Sequence, residues 1–338
     1  STEERETTRS PIWSGTNAPP GLYGQSISEG QQAAVVCIKV DNGDGTVNIG
    51  SGTLVDDKHI LTAAHVVEGA LDEVDVYYGS CNGQYAGPSS VVVHPTYAPE
   101  FSADFLGDSS VDWEDQSQCL ATSISAGAYD IAVITLAFGA TDVFPDAMPL
   151  RIGTLPTPAP GQYTWNAGYG ATELDWTISG CEAVGAPSSD LLWTTMQLSD
   201  ADDSQVVVLK PGPGTILGGD SGGPALVWND STGEPTVIAT VSWSSYSFWG
   251  CNPADNCSFF TRVDAPSVKQ WLLAQLCDEN QDGITDPGCP HYEGAAACVC
   301  ESGPCCDGCH YHPSSHICES DTESAYACEW GTFCGADV

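Results

Sequence analysis

Apolar and β-branched residues cluster in short runs along this chain, each closed off by glycine, aspartate, asparagine or proline. In the first half the runs are residues 33–40, 47–55, 74–78, 90–93 and 131–136, the last opened by Asp130. In the second half they are 163–168, 205–210, 224–228, 237–243 and 258–263. Runs of this length between turn formers predict strands, since helices need longer patterns of period 3.6. One helix is predicted, over 265–276, where Pro266 suits a first turn and Val268, Trp271, Leu272 and Gln275 share a face. Between the halves, Pro156-Thr157-Pro158-Ala159-Pro160 reads as a crossover, because strands resume on both sides. The layout predicts an all-β fold of two packed antiparallel barrels closed by a terminal helix.

Composition narrows the setting. At 338 residues the chain has room for a large core plus an appendage. Sixteen cysteines, ten of them from Cys277 to Cys334, are too many for a reducing cytosol and predict disulfides in a secreted, extracellular protein. Zinc is the weaker reading of that segment: His310, His312 and His316 lie among the cysteines, but no clean pair of Cys-x-x-Cys arms occurs. The formal net charge of −37, with only 8 Lys+Arg, excludes nucleic-acid backbone binding as a main function. No run of about 18 apolar residues occurs, so no membrane span is expected. Residues 1–11 are polar, carry no secretory signal, and read as a disordered extension.

Candidate chemistry centres on Leu217-Gly218-Gly219-Asp220-Ser221-Gly222-Gly223-Pro224. Glycines around Ser221 let the backbone turn tightly and leave the hydroxyl open to a carbonyl carbon. The N–H groups of Gly219 and Ser221 could point into one hollow and hold the negative oxygen that develops in acyl transfer. A serine hydroxyl needs a base, and the base needs orienting. Thr62-Ala63-Ala64-His65 offers an imidazole, and Asp130-Ile131-Ala132-Val133 a carboxylate at the mouth of a strand. Taken singly, His65 reads as a core histidine and Asp130 as a strand-start acid. With Ser221 they read as base, orienting acid and nucleophile. Residues 219–223 also fit the Gly-x-Ser-x-Gly pattern of esterases. That chemistry runs Ser, Asp, His on alternating strands and helices, whereas here every histidine after Ser221 lies in the cysteine-rich tail and no helix follows directly on the serine.

In this order the three motifs resemble the chymotrypsin/trypsin-like serine proteases, over residues 12–276. Ala167-Gly168-Tyr169-Gly170 is similar to that family's Gly-Trp-Gly turn, and Ser242-Trp243-Ser244 to its Ser-Trp-Gly strand beside the substrate backbone. The resemblance implies two packed six-stranded antiparallel β-barrels, a catalytic set of His65, Asp130 and Ser221, an oxyanion hole at Gly219 and Ser221, and no cofactor for catalysis. It implies a substrate-binding pocket based on Thr215, with Ser242, Trp243, Ser244 and Ser258 around it, suited to a neutral residue before the cut. It implies zymogen activation in which a freed Ile12 ammonium pairs with Asp220, making residues 1–11 a propeptide. The family's cysteine pair around the histidine falls at Gly50 and Val66, and a pocket cysteine falls at Leu217. Cys251 and Cys257 can then close their own loop, and Cys37, Cys81, Cys119 and Cys181 have three connectivities open to them. The expected protein is a monomeric endopeptidase acting on protein or peptide substrates. The alternative is a catalytically inactive protease-like binding protein, whose usual mark, a broken triad, is missing.

Residues 277–338 read as an appended module. Asp278, Asn280, Asp282, Ile284 and Asp286 fall at alternate positions of a loop turned by Gly283, which predicts a structural calcium. Cys289 stands where a full EF-hand has its last glutamate, so the loop is similar to those of thrombospondin type 3 or dockerin repeats. The run Cys305-Cys306-Asp307-Gly308-Cys309 resembles a disintegrin-like module over residues 289–334, without an Arg-Gly-Asp triplet in 319–327. A small disulfide-stapled unit with an extracellular partner is expected.

Overall fold

The computed structural model describes residues 16–22, 24–43, 45–68, 74–97, 129–153, 162–177, 180–201, 206–211, 215–244, 258–276, 309–312 and 317–320. The crossover, Ile12, the loop 278–286, Cys119, Cys251, Cys257 and His316 all lie outside them. The first half opens with a single helical turn, α1 (Glu29–Gln32), capped by the Ser28 hydroxyl. It continues as β1 (Val35–Asp41), β2 (Val47–Leu54), β3 (His59–Thr62), the turn α2 (Ala64–Val67), β4 (Val74–Tyr78), β5 (Gln84–Ala86), β6 (Pro88–Val93), β7 (Ala132–Leu136) and α3 (Ala140–Val143). The second half holds β8 (Arg151–Ile152), β9 (Tyr163–Gly168), β10 (Ala171–Thr177), β11 (Gly180–Pro187), β12 (Leu192–Ala201), β13 (Val206–Pro211), β14 (Pro224–Asn229), β15 (Glu234–Ser244), β16 (Ser258–Arg262) and the helix α4 (Pro266–Leu276). A hairpin of β17 (Cys309–His312) and β18 (Ile317–Ser320) is described in the tail.

The protein is mostly β with few helices, as the short apolar runs predict. One sheet orders its strands β5-β4-β1-β2-β3-β7-β6, and the other β14-β9-β12-β13-β16-β15-β8. In the second sheet β14 also pairs with β15, so six strands form a closed ring and β8 adds a parallel seventh outside it. Closure removes two edges that would otherwise expose unpaired amides. In the first sheet the pairing of the described strands runs through seven without closing.

The larger apolar core runs from Ile38, Leu54, Ile60 and Leu61 of the first sheet to Trp165, Trp193, Leu226 and Val237 of the second, and a smaller one inside the second sheet gathers Met196, Val241 and Phe260. The continuity of the larger core is what fixes the two sheets against each other. The terminal helix packs into that larger core, but on a broader face than expected: Val268, Leu272, Leu273 and Leu276 are buried, while Trp271 and Gln275 are half-exposed. Cys37 and Cys81 form a disulfide that ties β1 to the turn before β5.

Candidate active site

Strand pairing brings the first two candidate residues together. β3 and β7 run antiparallel with Thr62 opposite Ala132, so His65 and Asp130 leave the same end of the sheet. His65 sits in the turn α2, entered through Ala63 in extended conformation. Its N–H donates to Asp130 Oδ1 at 2.9 Å, and its ring Nδ1 lies 2.7 Å from Asp130 Oδ2. Ser242 Oγ donates to the same Oδ2 at 2.6 Å, and Thr261 Oγ1 donates to the Asp130 carbonyl at 3.1 Å.

These contacts decide the charge states. Burial by itself would push the Asp130 carboxyl up, but the positive charge and hydrogen bonds of His65, with the Ser242 hydroxyl, hold it below its ordinary value. Asp130 is therefore an acceptor, so His65 Nδ1 carries a proton and Nε2 is left free to accept one. Burial lowers the His65 pKa, yet Asp130 and, more weakly, Glu68 raise it above its ordinary value. The His65 side chain keeps 39% of its surface open to solvent, so its desolvation is partial.

Ser221 is half-buried, and its hydroxyl donates to the carbonyl of Ser242 at 3.4 Å. Ser242 thus touches both Asp130 and Ser221 and places the two, with His65, in one neighbourhood. The turn around Ser221 depends on two glycines with positive φ. Gly219 has φ +98°, and Gly222 has φ +83°; a Cβ on Gly222 would lie 2.2 Å from Thr62 Oγ1 and 2.3 Å from the Ser51 carbonyl. Ala171 N–H holds the Gly218 carbonyl, and Gly223 N–H holds the Asp220 carbonyl. A trans peptide sets its N–H opposite its carbonyl, so the Gly219 amide points away from Ala171 and the Ser221 amide away from Gly223. Among the described residues neither amide has an acceptor.

Asp220 is fully buried behind this turn. Gly170 N–H donates to its Oδ1 and Leu217 N–H to its Oδ2, both at 2.8 Å. Burial outweighs these two bonds and pushes the carboxyl up to about 7. The glycines of 167–170 gain a reason here: a Cβ on Gly168 or Gly170 would come within 2.3 Å or 2.6 Å of the Asp220 carboxyl.

The expected pocket residues are placed unevenly. Thr215 and Ser258 are fully buried, and neither hydroxyl has a partner among the described residues. Ser244 lies directly opposite Ser258 across β15 and β16. Trp243 stacks on Phe259, with ring centroids 4.0 Å apart. Strand pairing thus brings Ser258 and Ser244 together, and among the described residues no hydrogen bond joins Thr215 to the other four. Ser242, read from the sequence as a substrate contact, is buried and supports Asp130. Thr261 was not foreseen, because its bond reaches 131 residues along the chain.

Residues 23–272 match the protein-family description Trypsin, and the chain belongs to that family of serine proteases. It is also 26% identical over 263 residues to a protein described as chymotrypsin-like elastase family member 1 from Bos taurus, covering 72% of this chain and 85% of that relative. Trypsin-like proteases need no cofactor for catalysis. Among the described residues no group of three metal-ligating side chains gathers, and no helix is long and apolar enough to cross a membrane. Gly50 and Val66 face each other as the resemblance requires of a cysteine pair: a Cβ on Gly50 would lie 2.5 Å from a Val66 methyl, so valine fills the space a disulfide would take.

Proposed function

We propose that this protein is a secreted serine endopeptidase of two-barrel architecture that cleaves through an acyl-enzyme on Ser221. The observation that carries the reading is the chain of contacts from His65 through Asp130 and Ser242 to Ser221, beside two amides that have no acceptor among the described residues. Ser221 Oγ attacks the scissile carbonyl carbon while His65 Nε2 takes its proton. The carbonyl oxygen gains the negative charge, and the N–H groups of Gly219 and Ser221 hold it. His65 then gives its proton to the leaving nitrogen as the C–N bond breaks. Water repeats the sequence on the ester and frees Ser221. Asp130 keeps the ring in the needed tautomer and stabilises its cation.

The preferred residue before the cut is neutral. Thr215 and Ser258 supply hydroxyls and no charge, so nothing there would pair with Lys or Arg. Activation frees Ile12, whose ammonium meets the buried Asp220 and removes the cost of a lone carboxylate. Residues 277–338 form the appended module, which binds calcium through 278–286 and docks an extracellular partner.

A fluorophosphonate reacts with an activated serine and is the direct test. Ser221 is expected to be labelled in the wild-type chain and Ser221→Ala to stay unlabelled. A folded wild-type chain that takes no label, before or after its N-terminus is trimmed to Ile12, would make it a protease-like binding protein instead. A peptide-library profile dominated by cleavage after Lys or Arg would overturn the pocket assignment alone.

A further inference from the structure

Ser51, on β2, is fully buried and spends all of its polar groups on the walls of the site. Its N–H donates to the Ser221 carbonyl at 2.8 Å. Its hydroxyl donates to the Gly219 carbonyl at 2.9 Å and accepts from Tyr169 N–H at 3.0 Å. Its carbonyl accepts from Thr62 Oγ1 at 2.8 Å, at the end of the strand that leads into His65. One residue therefore touches the nucleophile turn, the loop that cradles Asp220, and the strand before the base.

The amides of Gly219 and Ser221 have no acceptor among the described residues, and Ser51 holds the carbonyl of each. We propose that the Ser51 hydroxyl is a positioning residue that locks the oxyanion hole in its working shape. This inference rests on the acyl-transfer reading of Ser221. The physical argument concerns rotation. The peptide between Gly218 and Gly219 turns by changing ψ at Gly218 and φ at Gly219 together, and neither residue has a side chain to resist it. A hydroxyl clamped on the Gly219 carbonyl holds the following peptide plane still and so fixes the frame on the Gly219 side of that hinge, and Tyr169 N–H fixes the hydroxyl's own direction. The backbone N–H of Ser51 would be present with any non-proline residue, so the clamp on Gly219 is what serine in particular supplies.

The clamp matters most when charge builds on the substrate oxygen, because a preformed donor pair stabilises the transition state more than bound substrate. Loss of the hydroxyl is thus expected in kcat and hardly in KM. The test is made on the full chain with a chromogenic peptide amide bearing a neutral residue before the cut. Ser51→Ala is expected to lower kcat by roughly ten- to a hundredfold, less than loss of an oxyanion donor itself, with KM within about twofold. The rate of fluorophosphonate labelling should fall in parallel, since its phosphoryl oxygen occupies the same hollow. Ser51→Cys, similar in size and still a weak donor, should recover part of the loss.

A Ser51→Ala chain with wild-type kcat, or with a loss confined to KM, would overturn the proposal. Equal losses in Ser51→Ala and Ser51→Cys would reduce Ser51 to a packing residue and overturn it too. Should Ser51→Ala not fold, Ser51→Cys carries the test alone: a folded chain with wild-type kcat overturns the proposal, and a lowered kcat at constant KM supports it. A wild-type chain that neither cleaves nor takes label refutes the acyl-transfer reading, a result distinct from a reactive wild type that Ser51→Ala matches.

Discussion

Asp130 and Asp220 are both nearly sealed from water, at 4% and 0% exposure, yet the protein treats their charges in opposite ways. Asp130 receives two hydrogen bonds from His65 and one from Ser242, and its carboxyl falls below the ordinary range despite its burial. Asp220 receives two backbone amides, and its carboxyl rises to about 7. Depth is the same in the two regions; the difference is a cation and a third donor. A buried acid is thus kept charged by its partners and made neutral by their lack. The first carboxylate is ready to hold an imidazolium, and the second is ready to receive a positive group.

The largest effect should come from removing the charge that distinguishes Asp130. Asp130→Asn cannot hold the His65 tautomer, and kcat is expected to fall by about 10⁴-fold. Steady-state kinetics check this, and a loss under tenfold would break the contrast. The pH profile sharpens it. Because the His65 pKa is raised, the acid limb of kcat/KM should lie above the ordinary histidine value of 6.5 and move down in the variant.

Asp220 should leave the opposite signature in stability. Its folded pKa is raised from 3.8 to about 7, so the folded state binds more protons than the unfolded state between those values. Stability then falls as pH rises through this window, by up to about 4 kcal/mol for three units at 1.36 kcal/mol each. Asp130, with a depressed pKa, does the reverse: its contribution is present above 3.8 and lost as pH falls through the folded value. Urea unfolding of the full chain at several pH values should show the Asp220 slope, and Asp220→Asn should remove it while leaving the acid-side loss intact. An unchanged slope in that variant would mean that another group carries it.

Gly170→Ala places a methyl 2.6 Å from the Asp220 carboxyl carbon and should cost roughly 2 kcal/mol in thermal or urea unfolding. A neutral outcome would show that the cradle has more room than the contacts allow. The smallest effect is expected from Ser242→Ala, which leaves the Asp130 carboxylate, among the described residues, with His65 alone. Loss of one hydrogen bond to a charged acceptor should lower kcat/KM roughly tenfold. An unaltered rate would show that His65 by itself keeps Asp130 in place.

Legibility along the chain followed local pattern. β4 and β9 match the apolar runs 74–78 and 163–168 end to end, because breakers stand close to both ends of each run. β12 was not foreseen: Thr194 and Thr195 are buried within it and interrupt the apolar pattern that marks a core strand. β3, at four residues, is too short to stand out from the turn that follows it. The face of α4 was misjudged because Leu273 and Leu276 are buried in the core that both halves share, which helical spacing cannot see. Within the site, the candidate trio was visible from residue types and order. The role of Ser242 toward Asp130, and every contact of Ser51, were not.

Sequence alone determined where most strands of the two large sheets run, the order of histidine, aspartate and serine, and the glycines that let the nucleophile turn exist. Those features are local, set by side-chain chemistry and by backbone angles that few residues can adopt. Only the packed sheets decided which aspartate is charged and which serine holds which carbonyl. The bond from Ser51 to Gly219 spans 168 residues of chain and that from Ser242 to Asp130 spans 112. Neither partner can sense the other until a common core brings the two sheets into register, and burial then makes each missing or present donor decisive.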